Sequence, residues 1–415
     1  MRATTLLHEL LGLKQTRVTG FHFTTTELVV DVKPATRTPR CGGCGRGCHG
    51  RGYDQRERHW RHIDIVGLRV LLRYSIRRVD CARCGVTTEF VPWAEPTSPF
   101  TRMFEEVVAY FAQRADQTTV SKTMGVAWGT VGHIIQRVVA RLGPTDALDG
   151  LTHIGVDELS VRKHHEYITV VTNHATGHIV WAAPGKNAAT LKLFFDALGP
   201  ERTAKLQVVT IDMSAAYIKA VQDAAPRARL VFDRFHVQRL AHDALDEVRR
   251  AQVRELKGMP EAQELKRTRF ALQKNPWNLT HLETEKVAVV RKRNQPLYRA
   301  YLLKETLAAI LDGRQVNVAR RKLGEWIDWA QRSRLKPFLK VARTVSTYIE
   351  GIVGYVATRL TNGPIEGNNR KLRTITHRSY GFADPMSLIA MIRLCCSGIM
   401  LTPLRRSPSP AAVEA

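Results

Sequence analysis

Two groups of residues in this chain could do chemistry, and they ask for different metals. Five of the seven cysteines fall in the first 84 residues, as Cys41-Gly-Gly-Cys44, Cys48 and Cys81-Ala-Arg-Cys84. Two C-x-x-C knuckles deliver four thiolates, and four soft ligands suit one structural Zn²⁺ in tetrahedral geometry. Cys48 and His49 stay open as substitutes for one ligand. A redox pair or disulfide is the competing reading, and a second knuckle in an intracellular chain argues against it. Cys395 and Cys396 lie in an apolar run and read as core.

The second group is acidic. Asp157 sits in the middle of the strand-like run His153-Ile-Gly-Val-Asp157-Glu158, and Asp212 closes the apolar run Val208-Val-Thr-Ile-Asp212. A carboxylate at that position emerges at the C-terminal edge of the strand, where α/β sheets bind ligands. Glu366 opens a helix in Asn362-Gly-Pro-Ile-Glu366-Gly-Asn-Asn369. Taken singly, each acid reads as a cap, a turn or a strand-end ion pair. Together, on neighbouring elements, they repel one another unless a divalent cation lies between them, and hard oxygen ligands select Mg²⁺ or Mn²⁺. Glu158 falls on the opposite strand face from Asp157, so Glu158→Gln is expected to keep at least part of any activity.

The elements that must position these residues follow from patterning. Leu28–Val32 and Arg69–Arg77 are β-like runs around a Gly-, Cys- and Arg-rich loop, which makes 1–98 a metal-tied module. Pro92, Pro96 and Pro99 punctuate a linker, and 99–145 reads as helical. Within it Thr118–Gly125 and Val126–Val139 form two helices around a tight turn at Gly125. Such a pair places its second helix in a DNA major groove, with Trp128, Thr130, His133 and Gln136 as contact residues; a plain helical bundle is the alternative.

From Leu151 the pattern alternates. Strands at His153–Val161, Glu166–Thr172 and His178–Ala183 precede a helix at Ala188–Leu198, a strand at Leu206–Asp212, a helix at Ala215–Ala224 and a strand at Arg229–Phe232. Three antiparallel strands followed by parallel strand–helix units predict an α/β domain resembling the ribonuclease H fold. It spans 150–240 and is completed by 351–402, with a helical insertion at 241–350 broken near Gly258–Pro260 and Asn275–Pro276. Trp277, Trp326 and Trp329 are expected to pack its helices rather than stack on a base. The tail at 403–415 is expected to be disordered.

Charge identifies the partner. Lys and Arg number 63 against 38 acids, a net +25, of which 241–350 carries +10. That excess implies a polyanion. Hydrophobic residues make up 44%, as in a globular protein, and no apolar run reaches membrane-spanning length. The expected location is the cytoplasm, with double-stranded DNA as partner and no membrane.

The zinc knuckles, the helix-turn-helix, Gly155-Val-Asp157-Glu158, Asp212-Met-Ser214, Asp233-Arg-Phe235-His236 and the Asn362–Asn369 segment together resemble the ISL-three family of insertion-sequence transposases. The resemblance runs from about Cys41 to Phe382. It implies a DDE triad matching Asp157, Asp212 and Glu366, two Mg²⁺ or Mn²⁺ ions held by those acids, and DNA cleavage and strand transfer at terminal inverted repeats by a homodimer or larger assembly on DNA, at the nucleoid in the bacterial cytoplasm. Asp233, His236 and Asn369 match accessory positions. Two rival readings remain. A zinc and helix-turn-helix regulator without catalysis would have no use for three aligned acids, and a repair nuclease would not need the long N-terminal reader.

Overall fold

A computed structural model describes residues 2–48, 53–65, 67–162, 166–361, 367, 370–375 and 384–402, the side chains of 161, 162 and 166 excepted. His49, Glu366, Asn369 and the tail 403–415 therefore lie outside the described residues. The chain divides into two compact units, Met1–Gly143 with Arg393–Ala415, and Pro144–Ile392.

The first unit opens with helix α1 (Ala3–Leu11) and a sheet of β1 (Thr16–Phe23), β2 (Glu27–Pro34), β3 (Tyr53–Arg61), β4 (Arg69–Cys81) and β5 (Gly85–Thr88). The order is β1-β2-β4-β3, with β5 paired to β4; β2 and β4 are parallel and the other pairings antiparallel. Alternation along β4 sends Val70, Leu72 and Ile76 inward against Leu28, Val30, Val32 and Trp60. Period-two burial of this kind is what half-covered strands require.

The Pro92–Pro99 stretch is not a tether, which corrects the linker expectation. Val91, Trp93 and Ala94 are buried, and Trp93 meets Trp60 and Tyr74 edge-on at 5.6 and 5.7 Å. Arg58 donates to the carbonyls of Pro96 and Ser98, so the prolines bend a core segment instead of freeing one.

Three helices follow: α2 (Arg102–Ala112), α3 (Gln117–Met124) and α4 (Trp128–Leu142). Thr101 and Asp116 cap the first two by accepting from the backbone N–H groups of Phe104 and Thr119, three residues on. Fully buried Glu105 binds α2 to α4 through Arg137 at 2.6 Å and Arg141 at 3.2 Å, and accepts from Ser98 Oγ at 2.7 Å. A buried carboxylate needs that many partners, because one left unpaired costs several kcal/mol.

The second unit is built on β6 (His153–Arg162), β7 (Glu166–Asn173), β8 (Ile179–Pro184), β9 (Val208–Ile211) and β10 (Arg229–Phe232), in the order β10-β9-β6-β7-β8. The hairpins β6–β7 and β7–β8 are antiparallel, and β9 runs parallel to both β6 and β10. Its first helices are α5 (Ala188–Leu198), α6 (Pro200–Thr203) and α7 (Ala215–Ala224), the last joining β9 to β10. The strand expected over Leu206–Asp212 is shorter: Asp212 already turns away, its Oδ1 accepting from Ser214 N at 3.1 Å.

The insertion is helical but more interrupted than its sequence suggested. It comprises α8 (Arg234–Glu255), α9 (Pro260–Lys266), α10 (Arg269–Gln273), α11 (His281–Arg293), α12 (Gln295–Asp312), α13 (Val316–Arg332) and α14 (Lys336–Thr347), followed by α15 (Ile349–Thr358) and α16 (Pro385–Cys396). Breaks beyond the two expected fall at Thr268, at Asn294, which caps α12 by accepting from Leu297 N, at Gly313, at Ser333 and at Tyr348. The Asn294 and Ser333 side chains compete locally for backbone groups, and Gly313 lowers helix propensity, so helices end that periodicity alone would continue.

One apolar core runs from the sheet (Ile154, Val209, Val231) into the insertion (Leu303, Leu307, Phe338). Trp326 is buried in it and donates Nε1 to the Leu303 carbonyl at 2.9 Å, and Trp329 packs against it, as expected. Trp277 does not pack: it is 73% exposed, which overturns that expectation for this residue. Cys396 is buried and Cys395 half-buried.

Candidate metal centres and nucleic-acid interface

The two knuckles are near copies of one another. Each second cysteine is followed by a glycine, Gly45 and Gly85, both at φ +69°, a left-handed turn that other residues adopt only with strain. Gly42 is needed for a different reason: a Cβ there would stand 2.5 Å from the Thr88 carbonyl, where the first knuckle crosses the second hairpin. The result brings the sulfurs of Cys41, Cys44, Cys81 and Cys84 all within 4.8 Å of one another.

The backbone N–H groups of Arg83 and Cys84 donate to Cys81 and pull its thiol down to about 6, so this knuckle is set to present a thiolate. Bonding to the neighbouring thiols holds Cys84 up to about 12. Four converging thiols fit the donor set of a structural Zn²⁺. Cys48 is buried beside the cluster with its Sγ directed to the Arg46 carbonyl, and it is not among the four.

The carboxylates converge by strand register. β9 pairs with β6 at His153↔Val208 and Gly155↔Thr210, and with β10 at Phe232↔Ile211. Asp157 lies two residues beyond the last β6–β9 pair, and Asp212 and Asp233 directly follow β9 and β10, so the three acids fall near one edge of the sheet. Asp233 is buried and precedes α8, whose first turn carries His236 with Nδ1 3.4 Å from Asp233 Oδ2. His236 is held above its ordinary pKa first by that bond, then by the charges of Asp157 and Asp212. One imidazole thus senses all three acids. The group is open, because among the described residues no three of its ligand atoms close to within 4.8 Å as the sulfurs do.

Sequence reasoning missed a second layer behind this edge. Glu158 pairs with Thr169 across β6–β7, and Tyr217 of α7 bonds both, meeting Thr169 Oγ1 at 2.7 Å. Burial, then the Asp212 charge, push the Glu158 carboxyl up. Only the Asp157-Glu158 doublet hinted at this, and nothing in α7's periodicity singled out Tyr217.

On the helix-turn-helix, Gly125 ends α3 at φ +57° and its carbonyl accepts from Arg61 of β3 at 2.6 Å. Gln117 Nε2 ties α3 to the Trp128 carbonyl at 2.8 Å. Val131, Ile134, Ile135 and Val138 face inward, which leaves Trp128, His133 and Gln136 exposed on one face, with Thr130 half-buried at its margin.

A mixed α/β unit carrying acids near one edge of its parallel strands, preceded by a four-thiol module and a helix-turn-helix, defines a DDE-type DNA transposase, and residues 154–392 match a family model described as Transposase. Residues 89–139 match the helix-turn-helix domain of transposase family ISL3, and 37–84 the zinc-finger of transposase IS204/IS1001/IS1096/IS1165. The chain belongs to the ISL3 family of transposases. Over 429 residues, covering 96% of each chain, it is 35% identical to the transposase for insertion sequence element IS1557 in two strains of Mycobacterium tuberculosis. It is 26% identical over 375 residues to the transposase for insertion sequence element IS1001 of Bordetella parapertussis, covering 89% of this chain and 92% of that one. No helix among the described residues is long and apolar enough to cross a membrane.

Proposed function

We propose that this transposase recognises the inverted repeats of its own element through residues 1–142 and cuts and rejoins DNA at a site formed by Asp157, Asp212 and Glu366, on a ribonuclease H-like core completed by 351–402. The observation that carries the site is that Asp157 and Asp212 each follow the last pair of the parallel β6–β9 ladder, Gly155↔Thr210, by two residues, with His236 responding to both charges. The sheet order β10-β9-β6-β7-β8, with three antiparallel strands preceding two parallel ones, supports the core assignment. Asp157 and Asp212 would hold Mg²⁺ or Mn²⁺ together with Glu366, and the Asp233–His236 pair would orient the DNA backbone beside them. When bound, two such ions supply the positive charge that activates an attacking oxygen and stabilises a leaving one.

The chain's part is to place the scissile phosphodiester in line. Hydrolysis forms a P–O bond to water as it breaks the one at the element end, leaving a 3′-OH and a 5′-phosphate; that hydroxyl then attacks a target phosphodiester, forming one P–O bond as another breaks and releases a target 3′-OH. Cys41, Cys44, Cys81 and Cys84 hold one Zn²⁺ that fixes the reader, and Trp128, Thr130, His133 and Gln136 address the major groove. Two copies, one at each element end, are the expected working assembly. Incubating the purified chain with labelled element-end duplex and Mg²⁺ tests the reading: nicks at the repeat boundary and strand-transfer products support it, whereas tight binding with no cleavage would favour the regulator.

A further inference from the structure

Trp277 is the most exposed tryptophan among the described residues, at 73%, in a unit whose other large aromatic side chains mostly enter the core. The loop that carries it is fixed from several directions. Lys304, itself buried, donates Nζ to the carbonyls of Leu272 at 3.0 Å and Lys274 at 3.2 Å, which ties down the end of α10 just before the loop. Lys274 Nζ in turn meets Glu283 Oε1 at 2.6 Å. Glu283 completes a capping box with Thr280, which fixes the start of α11 just after the loop. Pro276 restricts the backbone between them, and Asn278 N closes a turn on the Asn275 carbonyl at 2.9 Å. An indole held in water on a loop this constrained is displayed for a partner.

Charge selects the partner. Residues 257–293 hold nine Lys and Arg against four Glu. A second copy of a chain with net charge +25 would be repelled there, whereas a polyanion is drawn in. An indole offers a flat π face, and the polyanion's matching face is a nucleobase. Bases inside a duplex are already stacked on one another, so only an unpaired one can reach it. We infer that Trp277 is a stacking platform for an unpaired base of the bound DNA, next to a strand end. This rests on the transposase reading and adds to it a subsite for opened DNA.

The test uses the full-length chain and two otherwise identical duplexes, one fully paired and one ending in a single unpaired 2-aminopurine nucleotide. The wild-type chain is expected to quench 2-aminopurine emission and to prefer the overhang duplex. Trp277→Ala should abolish the quenching and reduce that preference about tenfold, and Trp277→Phe should restore most of both. Thermal melts showing Trp277→Ala folded like wild type keep the comparison valid. The inference is overturned if Trp277→Ala quenches and discriminates as wild type does, or if its main effect is to abolish self-association of the DNA-free chain. A wild-type chain that binds neither duplex would overturn the transposase reading itself, an outcome distinct from binding that ignores Trp277.

Discussion

The thiol cluster of the first unit and the carboxylate edge of the second are both sets of metal-ligand residues, yet they are built in opposite ways. Cys41 and Cys81 are buried and the four sulfurs converge within 4.8 Å, beside an apolar cluster that besides the cysteines includes only Val79. Asp157 and Asp212 are half-buried and more widely spread, on strands whose other residues belong to a core reaching through the whole insertion. The difference teaches which site holds its fold and which is held by it. Where the local core is too small to fold alone, metal binding supplies folding free energy; where the core is large, the acids can stay half-buried and open for use.

Zinc removal should break this comparison most sharply. Stripping the metal with a chelator, or Cys41→Ser, is expected to cost the first unit on the order of 10 kcal/mol and unfold its knuckles. The second unit should keep its melting transition. Limited proteolysis with and without chelator reads both at once, and cleavage confined to the first unit is the expected pattern.

Acid should also act on the first unit. His62 is buried, with Nδ1 2.9 Å from Thr101 Oγ1 and Nε2 3.2 Å from the Leu11 carbonyl, and burial pushes its pKa down from 6.5 to about 4. Below pH 6.5 the unfolded chain takes up a proton that the folded chain refuses. Stability contributed by neutral His62 is therefore complete above pH 6.5, falls as pH drops towards 4, and levels off beneath it, a total of about 3 kcal/mol. Zinc loss adds its own acid sensitivity, so the check is the difference between wild type and His62→Gln in urea unfolding across that window. The variant's curve should be the flatter one.

The smallest effects should come from the reading face. Replacing Trp128, His133 or Gln136 with Ala is expected to reduce discrimination between element ends and unrelated duplex about tenfold each. Thr130→Ala should do less, because Thr130 is half-buried at the margin of that face. Competition binding at fixed salt measures this, and the melting temperature of the first unit should stay where it was.

The legible parts of this molecule were those fixed by local chemistry. Helices Ala188–Leu198 and Ala215–Ala224 and strand Arg229–Phe232 fall where their periodicity put them, and the knuckle spacing told which thiols would meet. Tertiary packing decided what local chemistry left open. The prolines of 92–99 looked like linker punctuation, but Trp93 found Trp60 and Tyr74. Trp277 looked like packing, but the loop fixed at Lys274, Thr280 and Glu283 keeps it in water. At the candidate site, Asp157 and Asp212 were visible as acids in apolar strands, whereas their place near one edge of the sheet depends on the pairing of β6 with β9. The contact of Glu158 with Tyr217 depends on how α7 packs. Glu366 lies outside the described residues, so the third position rests on the family motif.

The most direct test of the account is Mg²⁺-dependent cleavage of labelled element-end duplex by Asp157→Asn, Asp212→Asn and Glu366→Gln, each alone and in pairs, with DNA binding measured in parallel. These substitutions keep volume and remove charge, so binding should persist while cleavage falls by more than about 10³-fold. A pair should cost little more than a single change, as for residues acting as one unit. Glu158→Gln should keep part of the activity. If Glu366→Gln cleaves at the wild-type rate, the third carboxylate is another residue, with Asp233 next in line, and the site assigned here is contradicted.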